Sequence, residues 1–328
     1  MKLFRMPRNG DTMVPVFYGY IEAERDIDDN KEVVCMGMLE FFRKRITGSD
    51  ENFNGQGSTE AFGLVSDANT LSPTGITAGS GGVTSTKDVT LDQAPVLSAW
   101  EDLAAAHSAE FEISPDGVFD FVSSLGSDKS STIELTFRTD GGVKSDLEEY
   151  EMGEDAKKMV TRVIGTSSAG GGISYTYNDT TAQSEFGDGT NNLILIEKRN
   201  FSQAQDIGTL TSITTAYGSQ ISNPLTELRV QPILMRKVYD PISNTRSLQG
   251  LEYDDLEVGD LITAIIETQN ETIEETKRIA ELVVRVDENG KESLVFTLSK
   301  SGVFITAAFL DGEELEDVKE RLKVLENA

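Results

Sequence analysis

LEVGDLITAIIE, residues 256–267, sets two acids and a glycine directly ahead of an apolar run. Glu257, Gly259 and Asp260 suit either a ligand-binding cluster or the turn that starts a strand, and the choice decides whether an enzyme is to be sought. A glycine between acids is turn chemistry, and Leu261, Ala264, Ile265 and Ile266 have the apolar content of a buried strand. The stretch therefore reads as a solvated turn that launches a strand, and its role is structural.

Working outward, the same pattern repeats. Asp260 to Glu267, Arg278 to Val286 and Glu292 to Leu298 form a sheet, with Asp287-Glu288-Asn289-Gly290 as the turn of its last hairpin. Upstream, Leu225 to Val238 is a strand pattern interrupted by Pro232, and Pro241 to Leu248 reads as an exposed loop. Strands are expected over Met159 to Ile164, Ile173 to Tyr177 and Leu193 to Glu197, with a short helix over Thr209 to Gln220. Before these, Pro95 opens a helix whose Val96, Leu97, Trp100, Leu103 and Ala104 share one face. Ala109 to Ile113 and Val118 to Val122 alternate around Ser114-Pro115-Asp116-Gly117, and a third strand, Thr132 to Arg138, follows. Residues 48–94 are rich in Gly, Ser, Thr and Asp; a helix over Ser58 to Ala68 capped by Ser58 is expected there, and a mobile loop over Gly79 to Gly82. The N-terminal part reads as strands: Leu3 to Met6 and Met13 to Ile21 around Asn9-Gly10, then Glu32 to Met36 after a turn at Asp28-Asp29-Asn30, with Met38 to Ile46 closing the segment.

The 328-residue chain can bury a sizeable core, and its length suggests two or three domains. A formal charge of −27 repels phosphate backbones and anionic lipid, which disfavours specific nucleic-acid or membrane-surface binding. The same charge suits a passage through which DNA slides without sticking. A single cysteine, Cys35, rules out an internal disulfide and any multi-cysteine zinc site; within Val33-Val34-Cys35-Met36 it is expected to be a buried thiol. No leader and no bilayer-length apolar segment are evident, so the chain is expected to be made in the cytoplasm with no membrane anchor.

Chemistry is sparse. His107 is the only histidine, which excludes a histidine-centred metal site in one chain, and at the end of its helix it is expected to meet the terminal carbonyls. Gly165-Thr166-Ser167-Ser168-Ala169 lacks the final glycine of a nucleophile elbow. Asp26-Ile27-Asp28-Asp29-Asn30 starts like a calcium loop, but Lys31 and Gly37 stand where glycine and an acid are required. No phosphate-binding glycine pattern leads from a strand into a helix. The 56 acids supply carboxylate pairs everywhere, so a carbohydrate-binding or carbohydrate-cleaving β-rich protein is the alternative function. Trp100, Phe111, Phe119 and Phe121, which might grip a sugar, fall where a core needs them. No catalytic, cofactor-binding or metal residue is assigned, and a surface adhesin is a third, less economical reading. Leu315, Val318, Leu322 and Leu325 repeat at three, four and three residues and are the candidate interface residues: a C-terminal helix packs this stripe on its own domain or on a neighbouring chain.

The order Asn223-Pro224-Leu225-Thr226, a β segment, Leu256 to Ile262, then Arg278-Ile279-Ala280-Glu281-Leu282 and a Gly-turn hairpin resembles the C-terminal half of phage tail-hub proteins, also called baseplate hub or tail-associated proteins. Val16 to Ile21 followed by Val33 to Gly37 is similar to the end of that family's first barrel. The resemblance implies a mainly β chain with α+β insertions: two small antiparallel tube-type barrels with α/β material between them. The implied segments are a partial first barrel (1–50), a Gly/Ser-rich excursion (51–94), a helix-plus-hairpin domain (95–153), a β-rich domain with a short helix (154–224), a second barrel (225–310) and the C-terminal helix (311–328). It also implies a non-enzymatic homotrimeric ring at the tail tip of the virion, with tail tube or distal tail proteins on one side and tip or fibre proteins on the other. No cofactor is expected.

Overall fold

The computed structural model describes residues 2–5, 13–27, 30–49, 51–138, 146–168, 172–233, 236–240, 245–249, 256–268, 272–286 and 292–299. The expected turns at Asn9-Gly10 and Asp287 to Gly290 and the C-terminal stripe lie outside these residues. The chain is mainly β and folds as two compact units, residues 2–124 with 160–222, and residues 125–159 with 223–299.

The first unit opens with β1 (Lys2–Arg5), β2 (Val14–Ile27) and β3 (Asn30–Gly37), an antiparallel sheet in the order β1-β2-β3, followed by the short α1 (Met38–Phe42). Beyond it come β4 (Glu51–Phe53), α2 (Gly57–Leu71), β5 (Thr77–Gly81), β6 (Val89–Leu91), α3 (Val96–His107), β7 (Glu110–Ile113) and β8 (Val118–Val122). The α3 face predicted from spacing is the buried one: Val96, Leu97, Trp100, Leu103 and Ala104 all enter the core. Trp100 stacks on Phe119 at 4.3 Å and lies 4.7 Å from Phe42. Its indole N–H donates to the Ala61 carbonyl at 3.0 Å, so the buried nitrogen is satisfied. The β7–β8 turn follows its sequence: Gly117 adopts φ +86° and its N–H donates to Ser114 at 2.8 Å.

Two expectations for the glycine-rich segment change. Ser58 does not cap α2; its hydroxyl instead accepts the Gly82 and Val83 amides at 3.1 and 2.9 Å and donates to the Phe121 carbonyl. Gly79 to Gly81 form not a loop but part of β5, paired in parallel with β8. The glycine is needed for proximity, since a Cβ at Gly79 would lie 2.2 Å from Val118.

The chain then enters the second unit for β9 (Glu134–Arg138) and β10 (Leu147–Asp155) and returns for β11 (Arg162–Ser167), β12 (Ile173–Asn178), α4 (Thr180–Glu185), β13 (Ile196–Asn200) and α5 (Ile207–Ile221). Here β11 is central, antiparallel to β12 and parallel to β13. The Asp206 carboxylate starts α5 by accepting the Gly208 and Thr209 amides. Leu210 and Ile213 carry α5 into the core of the first unit.

The second unit is completed by β14 (Leu225–Pro232), the hairpin of β15 (Arg236–Asp240) and β16 (Thr245–Gln249), and β17 (Leu261–Glu267), β18 (Thr272–Val286) and β19 (Glu292–Ser299). β16 falls within the stretch expected to be a loop. Six strands make one sheet in the order β10-β14-β19-β18-β17-β9. All neighbours are antiparallel except β9 and β17, which run parallel. The third strand expected after the β7–β8 hairpin is β9, and it belongs to this sheet. One face of all six strands is apolar and buried, including Leu135, Leu147, Leu228, Ile262, Ile279 and Phe296. The sheet curls as a half-barrel, and its edges approach: the Asp146 N–H donates to Thr136 at 2.7 Å, and the Phe137 and Tyr150 rings lie 4.8 Å apart.

LEVGD is the joint that makes the parallel pairing possible. Gly259 at φ +97° and Gly126 at φ +67° bring two loops together backbone to backbone, and a Cβ on Gly126 would sit 2.2 Å from the Gly259 carbonyl carbon. Ser127 then accepts the Leu261 amide, and Leu261 accepts that of Lys129, each at 2.9 Å. Asp260 is not solvated as the sequence suggested; it is fully buried. Its carboxylate accepts the Ser127 amide at 2.8 Å, the Ser127 hydroxyl at 3.1 Å, and the Lys129 ammonium and Glu257 amide at 2.8 Å each. A carboxylate with four donors is cheaper to bury than one facing apolar groups, which is why an acid is tolerated at the head of a core strand. Burial pushes its pKa up, but the bonds from Lys129, Ser127 and Glu257 outweigh this and hold it below the usual aspartate value.

Candidate functional site

Side chains able to do chemistry are few. His107 turns away from its helix carbonyls and bonds Ser85 Oγ through Nδ1 at 2.8 Å, while Ser108 and Ala109 supply the amides that close α3. Burial, and then the nearby Lys87 charge, hold His107 down at about 4, so the imidazole is neutral at pH 7. A Ser–His pair of this kind needs a carboxylate to orient the ring and donors to receive an oxyanion. Lys87 is instead the charge that acts on His107. Trp100, Phe111, Phe119 and Phe121 are fully buried, so they cannot wall a sugar cleft. Among the described residues no group of three or more His, Cys, Asp or Glu is placed to hold a metal ion, and no helix is long and apolar enough to cross a membrane.

Among the described residues, two carboxylates are pushed upward. On α3, burial and the adjacent Glu101 charge raise Asp102 to about 7, with Gln203 donating to it at 3.1 Å. Burial raises Glu101 to about 6 against the opposing pull of Arg43, which is itself paired with Glu40 at 2.9 Å. A carboxyl with a raised folded pKa stabilises when protonated, and that contribution is lost as pH climbs from about 4 through the folded value. His107 acts in the opposite sense, lowering stability as pH falls below about 6.5. Between pH 6.5 and 8, therefore, Asp102 dominates the pair. Asp102→Asn is expected to raise the melting temperature of the first unit at pH 8 and to flatten its fall above pH 6.5, each kcal/mol recovered being worth roughly 2–4 °C. Thermal melts at several pH values check this, and an unchanged slope counts against it.

The surface feature that stands out is the β1–β2–β3 sheet. Leu3, Phe4, Met13, Ile21, Val33 and Val34 on this sheet and its flank are all at least 39% exposed, whereas among the described residues Tyr18 is the sheet's one contribution packed on the apolar core. Register and alternation place Leu3, Phe17, Ile21, Val33 and Cys35 on the face opposite Tyr18 and Tyr20. Cys35 is accordingly half-exposed rather than buried: its strand lies at a sheet edge among the described residues. On the inner side Tyr20 meets Phe41 edge-on at 5.9 Å, and the Tyr18 hydroxyl donates to the Thr74 carbonyl. From Ile21 onward β2 and β3 pair, among the described residues, only with each other, and a two-stranded ribbon is marginal in water unless something covers it.

Around this sheet lie cations that rest on rings. Lys2 Nζ is 4.9 Å from the centre of Tyr18, Lys44 Nζ 5.3 Å from that of Tyr20, and the Arg45 guanidinium 4.9 Å from that of Phe41. The sequence nominated Leu315, Val318, Leu322 and Leu325 as candidate interface residues and overlooked this exposed apolar face. Its signal was present in Leu3-Phe4 and Val33-Val34, consecutive apolar residues that put one side chain on each face of a strand.

No family model matches the chain, and no curated protein matches it in sequence. Solved structures do match in fold. The tail protein of Neisseria meningitidis MC58 superposes with a TM-score of 0.60 at 12% identity, over 90% of this chain and 83% of that one. The 43 kDa tail protein of prophage MuSo2 from Shewanella oneidensis gives 0.55 at 12% identity, over 89% and 80%. Prophage tail protein gp18 of Listeria monocytogenes EGD-e gives 0.52 at 10% identity, over 94% and 87%. At these identities the likeness is one of fold, and it spans both units.

Proposed function

We propose that the chain is a structural, non-enzymatic part of a phage-type tail: a hub protein that forms a trimeric ring at the tail tip and joins the tail tube to tip or fibre proteins. The fold shared with three tail proteins over about nine-tenths of the chain supports this reading. The observation that carries it is the uncovered apolar sheet of β1, β2 and β3, which suits a part completed by its neighbours. In this reading that sheet is the remnant of a first barrel, and the curled six-stranded sheet is the second. The acidic surface would line the lumen and keep DNA from adhering, an idea that a neutral or basic inner wall in an assembled ring would sink.

Sizing the full chain by light scattering is the test. A trimer is expected; a stable monomer that cleaves polysaccharide would overturn the reading. The C-terminal stripe belongs to the same proposal. Leu322→Asp is expected to lower the assembled mass by a whole number of chains with the circular dichroism spectrum retained, and an unchanged mass removes the stripe from the interface.

A further inference from the structure

Asn-Gly dipeptides occur at Asn9-Gly10, Asn54-Gly55 and Asn289-Gly290, and the middle one lies among the described residues, where it joins β4 to α2. Such a dipeptide carries a reaction of its own. The glycine nitrogen, once it gives up its proton, attacks the side-chain amide carbon of the asparagine. The new C–N bond closes a succinimide ring, the bond to the side-chain nitrogen breaks, and ammonia leaves with the proton. Water then opens the ring at either carbonyl and leaves aspartate or isoaspartate. Glycine favours the attack because it has no Cβ to shield its nitrogen and restricts the backbone least.

Asn54 presents its half of this chemistry openly. Its side chain is exposed and, among the described residues, makes no hydrogen bond. The nitrogen is the half that is withheld. Glu60, in the first turn of α2, reaches back and accepts the Gly55 N–H at 2.6 Å. The contact is built around a glycine, since a Cβ at position 55 would collide with that same Glu60 oxygen. Pairing holds the chain on both sides: Phe53 stands opposite Val89 in the β4–β6 ladder, and Gln56 bridges to Thr86.

A carboxylate placed here opposes the reaction in two ways. Its hydrogen bond is made to the intact N–H and must be given up before the nitrogen attacks. Its charge also resists the negative charge that the nitrogen acquires as the proton leaves, and repels the hydroxide that would take that proton. We propose that Asn54-Gly55 is a latent deamidation site and that Glu60 is the residue that keeps it closed. What Glu60 guards is the junction: conversion would put a second carboxylate beside it and, in the isoaspartyl form, lengthen the main chain between buried Phe53 and the start of α2.

Peptide mass spectrometry on the full chain tests this, with the protein incubated in mildly alkaline buffer both folded and in urea. In urea, Asn9, Asn54 and Asn289 are expected to convert at similar rates, and in the folded chain Asn54 is expected to lag behind its rate in urea. Glu60→Ala is expected to speed conversion at Asn54 in the folded chain by about tenfold, the size of one charge-assisted hydrogen bond. Glu60→Gln, which keeps an acceptor without the charge, should give a smaller increase, and neither variant should alter the rate in urea. Trp100→Ala is the control, because it loosens the same unit without touching Glu60. Conversion of Asn54 as fast folded as in urea overturns the proposal. So does an unchanged rate in Glu60→Ala, or an increase there that Trp100→Ala matches.

Discussion

Asp260→Ala is expected to unfold the second unit at temperatures where the first survives. The carboxylate is fully buried and serves four donors, two of them backbone amides: that of Ser127, in the segment before β9, and that of Glu257, in the turn before β17. Removing it leaves those amides and the Lys129 ammonium without their acceptor. Loss of one partner from a buried ion pair costs about 3–5 kcal/mol, and Lys129, a quarter exposed, can recover part of that by turning to water. Asp260→Asn keeps the shape and part of the hydrogen bonding, so its cost should be smaller. Because the folded pKa is depressed, wild-type stability contributed here is present above about pH 4 and lost as pH falls through the folded value. The alanine variant should lack that acid dependence. A calorimetric trace that loses no stability on substitution would refute the joint's importance.

Trp100→Ala tests the first unit in the same way. Its ring is fully buried, stacked on Phe119 and in contact with Phe42 and Phe111, and its N–H holds the Ala61 carbonyl of α2. Truncation removes a large apolar surface, opens a cavity among aromatic rings and removes the side-chain bond to that carbonyl, for a cost of about 3–5 kcal/mol. Two transitions by calorimetry are expected in the wild type, one for each unit. Trp100→Ala should lower one and Asp260→Ala the other; if both variants move the same transition equally, the division into independently melting units is wrong.

What the sequence made legible was local. Ser114-Pro115-Asp116-Gly117 carries its own turn chemistry, the α3 face is set by apolar spacing, and the strand after Asp260 follows from its composition. Pairings between distant segments were hidden, because β9 meets β17 across more than a hundred residues and no short-range pattern records a parallel register. The buried state of Asp260 was hidden for the same reason: its donors Ser127 and Lys129 come from that distant segment. Gly79 to Gly81 looked like a loop since composition cannot distinguish a glycine needed for mobility from one needed for close approach. At the candidate interface, Cys35 and its neighbours had core composition, and only the register showed which face they occupy.

The interleaving of the two units bears on how the chain is made. β9 and β10 leave the ribosome before any strand with which they pair, since β14 begins at Leu225 and β17 at Leu261. Throughout synthesis of residues 160–222 they wait as naked ribbons, the state in which nascent chains most readily stick to one another. Five acids in nine positions of β10 act there as gatekeepers, holding sibling chains apart until the late strands arrive.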